Sequence, residues 1–131
     1  MKHLFICHDQ QGQIAKHQFE LEQAGYEVRL FRSGGDLVRA LAKETPDLVM
    51  LDVLLEGKNG FEICAGMDLI TTRRFPVVLV GGIYRRPAFR QEAQRLGVTE
   101  FVDGTFEDMD LLGTVSRVLD AFDEGVQQEA A

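Results

Sequence analysis

Two carboxylates, Asp9 and Asp52, each stand at the end of a short apolar run. Leu4-Phe5-Ile6-Cys7 leads into His8 and Asp9, and Leu48-Val49-Met50-Leu51 stops directly on Asp52. Continuous apolar runs of this length suit strands buried on both faces, as in a parallel sheet covered by helices. Open sheets of that kind place ligand chemistry at the carboxyl ends of their strands, so both acids are expected at one sheet edge. Two carboxylates and a backbone carbonyl from the loop after Asp52 make an all-oxygen set suited to a hard dication such as Mg²⁺. Such an ion would also let an anionic phosphate approach the acids. Asp9 equally suits the start of a helix, where a short acid satisfies free N–H groups.

The elements that must position these acids alternate strand and helix five times, the pattern of a βα repeat with a parallel sheet. After the first strand, a helix from Gln11 to Ala24 carries Ile14, His17, Leu21 and Ala24 on one stripe, with Gly25 as its C-terminal cap. The Tyr26–Phe31 strand alternates, Val28 and Leu30 opposing Glu27 and Arg29, which places it at a sheet edge with one face solvated. A second helix from Gly35 to Glu44 turns Leu37, Ala40 and Leu41 inward, and Pro46 introduces the strand that ends on Asp52. A loop with Glu56, Gly57, Lys58, Asn59 and Gly60 precedes a third helix bearing Phe61, Ile63, Cys64, Met67 and Ile70. Pro76 opens the strand Val77–Val80, which Gly81-Gly82 closes, and Arg85, Arg86 and Pro87 lead to a helix with Phe89, Ala93 and Leu96. A short strand over Glu100–Val102 and a loop to Phe106 precede a helix whose Leu111, Leu112, Val115, Val118, Leu119 and Phe122 form one apolar face. Right-handed crossovers then favour a flavodoxin-like (βα)5 doubly wound sheet, five parallel strands in the order 2-1-3-4-5. That order makes the first and third strands neighbours, with Asp9 and Asp52 facing each other across the crevice. Residues 1–124 read as the domain, and 125–131 as a tail or the start of a linker.

Composition narrows the class. The chain has 131 residues, enough for one domain with a real core, and 45% hydrophobic against 27% charged residues is an ordinary globular balance. A formal net charge of −7 argues against nonspecific attraction to nucleic acid or anionic membrane. With neither a membrane-spanning run nor a signal peptide in view, a cytoplasmic protein with reduced thiols is expected. Cys7 and Cys64 lack metal-ligand spacing and read as small core residues. His17 reads as a satisfied, partly buried histidine, and His3 has no partner in view. Gly81-Gly82 lies in no GxGxxG or Walker pattern.

The chain resembles a response-regulator receiver domain, the phosphoacceptor module of bacterial two-component signalling, over about residues 3 to 122. The marks are Pro46-Asp47-Leu48-Val49-Met50-Leu51-Asp52-Val53, Asn59-Gly60-Phe61-Glu62 and Pro76-Val77-Val78-Leu79-Val80, with Gly25-Tyr26-Glu27-Val28 and Gly97-Val98-Thr99-Glu100-Phe101-Val102. The resemblance implies a signalling domain, not an enzyme. It puts Asp52 on the phosphoacceptor, Asp9 on the second acid of the Mg²⁺-binding pair, and the carbonyl of Leu54 on the third ligand. Phe101 falls on the aromatic residue that moves inward on activation.

The departures from the pattern carry equal weight. His8 replaces the first acid, Gly81 the Ser/Thr that contacts the phosphoryl group, Gly104 the lysine, and Thr105 the proline after it. A glycine supplies neither a charge nor a directed hydrogen bond, the two means by which phosphorylation is read. An imidazole in place of a carboxylate lowers the negative charge that draws Mg²⁺, so that binding is expected to be weak or absent. Lys58, Arg85 and Arg86 are candidates to replace the lost cation. These residues imply an atypical, pseudo-receiver domain acting mainly as a protein-interaction module, with phosphorylation weakened or dispensable. Its partners would be a histidine kinase or a downstream signalling protein, with a homodimer as a further option and no direct binding of nucleic acid or membrane. The interaction surface would comprise Tyr84, Arg85, Arg86, Arg90 and Gln94. Two alternatives stand beside it: a competent receiver phosphorylated on Asp52 with Mg²⁺, and a small flavodoxin-like protein holding a nucleotide or anion above Gly81-Gly82.

Overall fold

The computed structural model describes residues 1–9, 11–72 and 74–130; the side chains of 11–14, 71–72 and 126–130 lie outside that description, and so does the inward role expected of Ile14. In chain order the elements are β1 (His3–Cys7), α1 (Gln11–Gln23), β2 (Glu27–Phe31), α2 (Gly34–Leu41), β3 (Leu48–Asp52) and α3 (Gly60–Met67). Then follow α4 (Leu69–Thr72), β4 (Val77–Val80), α5 (Pro87–Arg95), β5 (Glu100–Val102) and α6 (Leu111–Ala130). The five strands form one parallel sheet in the order β2-β1-β3-β4-β5, with β2 at an edge as its alternation requires.

Strand parity divides the core into two layers. Phe5, Cys7, Val49, Leu51, Val77 and Leu79 face one way, onto Leu37 and Leu41 of α2, Ile63 and Cys64 of α3, and Ala93 of α5. Leu4, Ile6, Leu48, Met50, Val78 and Val80 face the other, onto Leu21 of α1 and Leu111, Val115, Val118 and Leu119 of α6. β1, β3 and β4 are buried on both faces, which is why their sequences are apolar without a break. On β2, Glu27 and Arg29 are exposed while Val28 is buried.

Local chemistry sets the boundaries. α1 ends in a Schellman arrangement: the Tyr26 N–H donates to the Leu21 carbonyl and the Gly25 N–H to that of Glu22, with Gly25 at φ +97°. Because that turn lifts the chain away, Ala24 is exposed and does not extend the inward stripe. The Ser33 hydroxyl caps α2 by accepting from the Asp36 N–H, and α2 stops at Leu41, short of the expected Glu44. Asn59 and Glu62 form a reciprocal capping box at the start of α3.

The third predicted helix is two. Asp68 takes the left-handed conformation at φ +49°, ends α3, and restarts the chain as α4, so Ile70 leaves the inward stripe and is exposed. α6 continues as helix through Gly125 to Ala130.

Candidate functional site

At the carboxyl ends of β1 and β3 a cleft of ≈ 620 Å³ opens, lined by His8, Asp9, Asp52, Leu54, Leu55, Glu56, Gly82, Ile83, Thr105, Phe106 and Glu107. Strand parity selects which side chain meets Asp52. His8 extends the Leu4–Ile6 face, and its N–H donates to the Phe31 carbonyl at 2.9 Å, continuing the β1–β2 ladder. Its imidazole therefore turns into the layer that Asp52 also faces, and His8 Nδ1 lies 3.5 Å from Asp52 Oδ2. Asp9, one residue on, is exposed and lines the same cleft as Asp52.

Asp52 is held by its own loop. The Leu54 N–H donates to Asp52 Oδ1 at 3.0 Å, leaving Oδ2 toward His8 and the cleft, with the side chain 15% exposed. Gly60 makes this possible. Its N–H donates to the Val53 carbonyl at 2.9 Å, and a Cβ there would lie 2.5 Å from the Asp52 carbonyl oxygen and 2.9 Å from Val53 Cα. Only a residue without a side chain lets the start of α3 approach the Asp52 strand so closely.

A residue that sequence reasoning passed over decides the shape of the inner wall. Phe106, expected only as the end of a loop, is 1% exposed and stacks on His8 with ring centroids 4.6 Å apart and planes at 19°. His17 packs against the same ring at 5.6 Å. The signal available was modest: a large apolar residue two turns ahead of an amphipathic helix. His17 is buried, and burial followed by the neighbouring His8 pushes its pKa below the usual imidazole value. Among the described residues, its Nδ1 and both ring nitrogens of His8 have no hydrogen-bond partner. His17 is thus more deeply buried than the partly buried histidine expected, and only partly satisfied among the described residues. His3, for which the sequence offered no partner, lies 3.3 Å from Glu27 through its Nδ1.

The opposite rim, after β4 and β5, is built from backbone. The Gly81 N–H donates to the Val102 carbonyl at 2.8 Å and the Gly82 N–H to the Gly104 carbonyl at 2.7 Å, zipping the two loops together. A Cβ at Gly81 would lie 2.5 Å from Phe101 Cζ, because the buried Phe101 ring occupies that space. Arg90 holds the ring from outside, 5.6 Å above it, while donating to the Phe101 carbonyl at 3.1 Å and to Asp103 at 2.6 Å. Neither Lys58, Arg85 nor Arg86 lines the cleft, so none stands where the missing lysine would act. The wall carries the acids Asp9, Asp52, Glu56 and Glu107 and no Lys or Arg, which disfavours the reading of a nucleotide or anion held above Gly81-Gly82. Burial pushes the Cys7 and Cys64 thiols up to about 12, as inert core groups.

The fold is a five-stranded parallel α/β module with an oriented aspartate, Asp52, at the carboxyl edge of its sheet. Residues 4–116 match the family of the response regulator receiver domain, and the chain belongs to it. It is 28% identical over 132 residues to the response regulator PleD of Caulobacter vibrioides, covering 98% of this chain and 29% of that protein. It is 27% identical over 120 residues to the protein PilH of Pseudomonas aeruginosa, covering 91% of this chain and 98% of that one. The chain therefore spans less than a third of PleD and nearly all of PilH. A CheY-like receiver domain protein from Methanospirillum hungatei shares the fold with a TM-score of 0.82 at 17% identity, over 98% of each chain.

Receiver domains act in two-component signalling as phosphoacceptors, interact with histidine kinases and downstream partners, and generally hold Mg²⁺ at the phosphorylation site. The residues here fit an all-oxygen Mg²⁺ site only in part. Asp52, Asp9 and Leu54 line the cleft, and beside Asp52 stands the buried imidazole of His8, whose ring nitrogens have no hydrogen-bond partner among the described residues. Among the described residues, no three His, Cys, Asp or Glu side chains converge closely enough to hold a metal ion as they stand. Among the described residues, too, no helix is long and apolar enough to cross a membrane.

Proposed function

We propose that this chain is an atypical receiver whose output is a standing protein-binding face, with phosphorylation of Asp52 weakened or dispensable. The observation that carries the reading is the Phe101 ring lodged in the space a Cβ would need at Gly81. A phosphoryl group on Asp52 would meet no hydroxyl at Gly81 and no ammonium at Gly104. A modification shifts a conformational equilibrium only by its differential interaction with the two states, and here the groups that would supply that difference are absent.

The face we assign to partners lies around α5. Tyr84 is half-buried with its ring on Phe89 at 4.9 Å, a fixed aromatic platform, and Arg85, Arg86 and Gln94 are exposed beside it. Arg90 contributes by holding Phe101 and Asp103, so its role on this face is support. Tyr and Arg supply large contact area with directed polar groups, which suits a histidine kinase or downstream protein as partner, or a second copy of the chain. The acidic balance fits a cytoplasmic domain that does not itself bind nucleic acid.

Beryllofluoride with Mg²⁺ mimics the acyl phosphate and is expected to leave amide shifts around Phe101 and α5 nearly unchanged. In the host, Asp52→Ala should keep function, while Tyr84→Ala combined with Arg85→Ala should lose it and remain folded. One observation favours a competent receiver: Asp52 presents Oδ2 to the cleft with Oδ1 already held by the Leu54 N–H. Incubation with Mg²⁺ and a small phosphodonor, followed by intact-mass measurement of wild type and Asp52→Asn, tests it. Stoichiometric phosphorylation together with large shifts at Phe101 would return Asp52 to the centre of the mechanism.

A further inference from the structure

We propose that the groove between α1 and α6, centred on Phe19, is a self-association surface that takes a second copy of this chain across a two-fold axis. The groove shares no lining residue with the Asp52 cleft, so the inference goes beyond the function proposed above.

The first observation is an aromatic ring left outside the core. α1 buries His17 and Leu21 on its inward side, while Phe19 is 65% exposed. Every other Phe and Tyr of the described residues is buried or half-buried. A single exposed Phe needs no explanation, but this one is not isolated. With Ala24 and the half-buried Leu112 of α6 it lines a groove of ≈ 500 Å³, to which Lys16, Glu20 and Gln23 add polar groups. An aromatic anchor among apolar neighbours, with polar residues around it, is the build of an interface centre.

The second observation selects the occupant. The chain carries a net charge of −7, so two copies repel wherever acidic surface meets acidic surface. The charges lining this groove, Lys16 and Glu20, sum to zero. They stand one turn apart on α1, a spacing that puts both on the same side of the helix. Neither forms an ion pair among the described residues.

In an isologous contact, residue i of one copy meets residue j of the other, and j meets i. An antiparallel crossing of α1 on α1 near Phe19 therefore sets Lys16 of each copy against Glu20 of the other. One pattern supplies both complementary pairs. A strongly acidic or strongly basic partner would match only half of it. The groove has six lining residues against roughly 20–30 a side in a stable interface, so the dimer is weak and forms only at high concentration. It leaves the α5 face to a kinase or downstream protein.

The test is sedimentation equilibrium of the whole chain up to about 1 mM, with the folding of each variant checked by circular dichroism. The wild type is expected to shift from monomer to dimer as concentration rises. Phe19→Glu should weaken the dimer at least about tenfold. Lys16→Glu alone, and Glu20→Lys alone, should each weaken it at least about fivefold by setting like charges together. Mixing those two variants should restore association, because each copy then offers the charge that the other lacks. Asp52→Ala and Arg85→Glu, both outside the groove, should change nothing. A wild type that stays monomeric at about 1 mM, or a dimer indifferent to Phe19→Glu or not rescued in the mixture, would overturn the proposal. So would a dimer lost with Arg85→Glu, which would move the second copy to the α5 face. If Phe19→Glu fails to fold, the mixture decides alone, since it leaves Phe19 in place. Neither Asp52 nor Phe101 lines the groove, so failure here leaves the proposed function standing, and the reverse holds as well.

Discussion

The two rims of the cleft are built in different ways. On the β1–β3 side a carboxylate is held in orientation: Asp52 accepts from the Leu54 N–H, and Gly60 brings α3 hard against its carbonyl. On the β4–β5 side the loops are glycine-rich, zipped backbone to backbone through Gly82 and Gly104, and the space beside Gly81 is filled by an aromatic ring. A carboxylate at a strand end costs little to keep, because solvent and a loop N–H satisfy it. A hydroxyl and an ammonium must instead be accommodated by the packing around them. Once Phe101 occupies the Gly81 space, restoring the hydroxyl requires moving a buried ring.

The largest expected effect lies on the β1–β3 rim. Gly60→Ala would drive a Cβ into the Asp52 carbonyl and Val53 Cα, backbone atoms with no freedom to yield. We expect a loss of about 3 kcal/mol by urea unfolding, near the upper end of overpacking costs. A loss below half of that would mean that α3 can slide, and that the rim is less rigid than its contacts imply.

On the β4–β5 rim the obstacle is a side chain. Gly81→Ser alone should cost about 2 kcal/mol, since the Cβ meets Phe101 Cζ. Gly81→Ser combined with Phe101→Ala should be more stable than the sum of the single losses, with a coupling of about 1 kcal/mol or more. Strict additivity would show that the ring already leaves the pocket freely, and would erase the contrast between the rims.

Protonation tests the inner wall. The His17 pKa is lowered in the fold by burial and by His8, so the folded state disfavours the charged form. Its contribution is complete above the unfolded value of 6.5 and is lost as pH falls below it toward the lower folded value. Stability should therefore fall on acidification, with a slope from this one group of at most about 1.4 kcal/mol per pH unit. His17→Phe should flatten that slope just below pH 6.5 in parallel urea titrations. An unchanged slope would place the acid sensitivity elsewhere.

The smallest effect is chemical. With both thiols pushed up to about 12 and buried, Cys7 and Cys64 should resist a disulfide reagent at pH 8 in the folded protein and react fully in denaturant. Rapid modification of Cys7, which lies next to His8, would reveal opening of the β1–β3 rim.

Strand number, parallel direction and strand order were legible in the sequence because uninterrupted apolar runs specify strands covered on both faces, and the alternating β2 specifies an edge. The carboxylate Asp52 was legible for the same reason, as the residue that ends such a run. Three things were not. The break at Asp68 depends on one residue taking a left-handed conformation, and residue type signals that weakly. The approach of His8 to Asp52 depends on whether the strand's alternation continues one residue past β1, which the Phe31 carbonyl decides by accepting the His8 N–H. The filling of the Gly81 space by Phe101, and the burial of Phe106 under His8, join residues distant in the chain. Sequence pattern fixes which face of an element turns inward, since that follows from local periodicity. Which side chain fills a given gap is settled only when the layers close, because packing is a property of several elements at once.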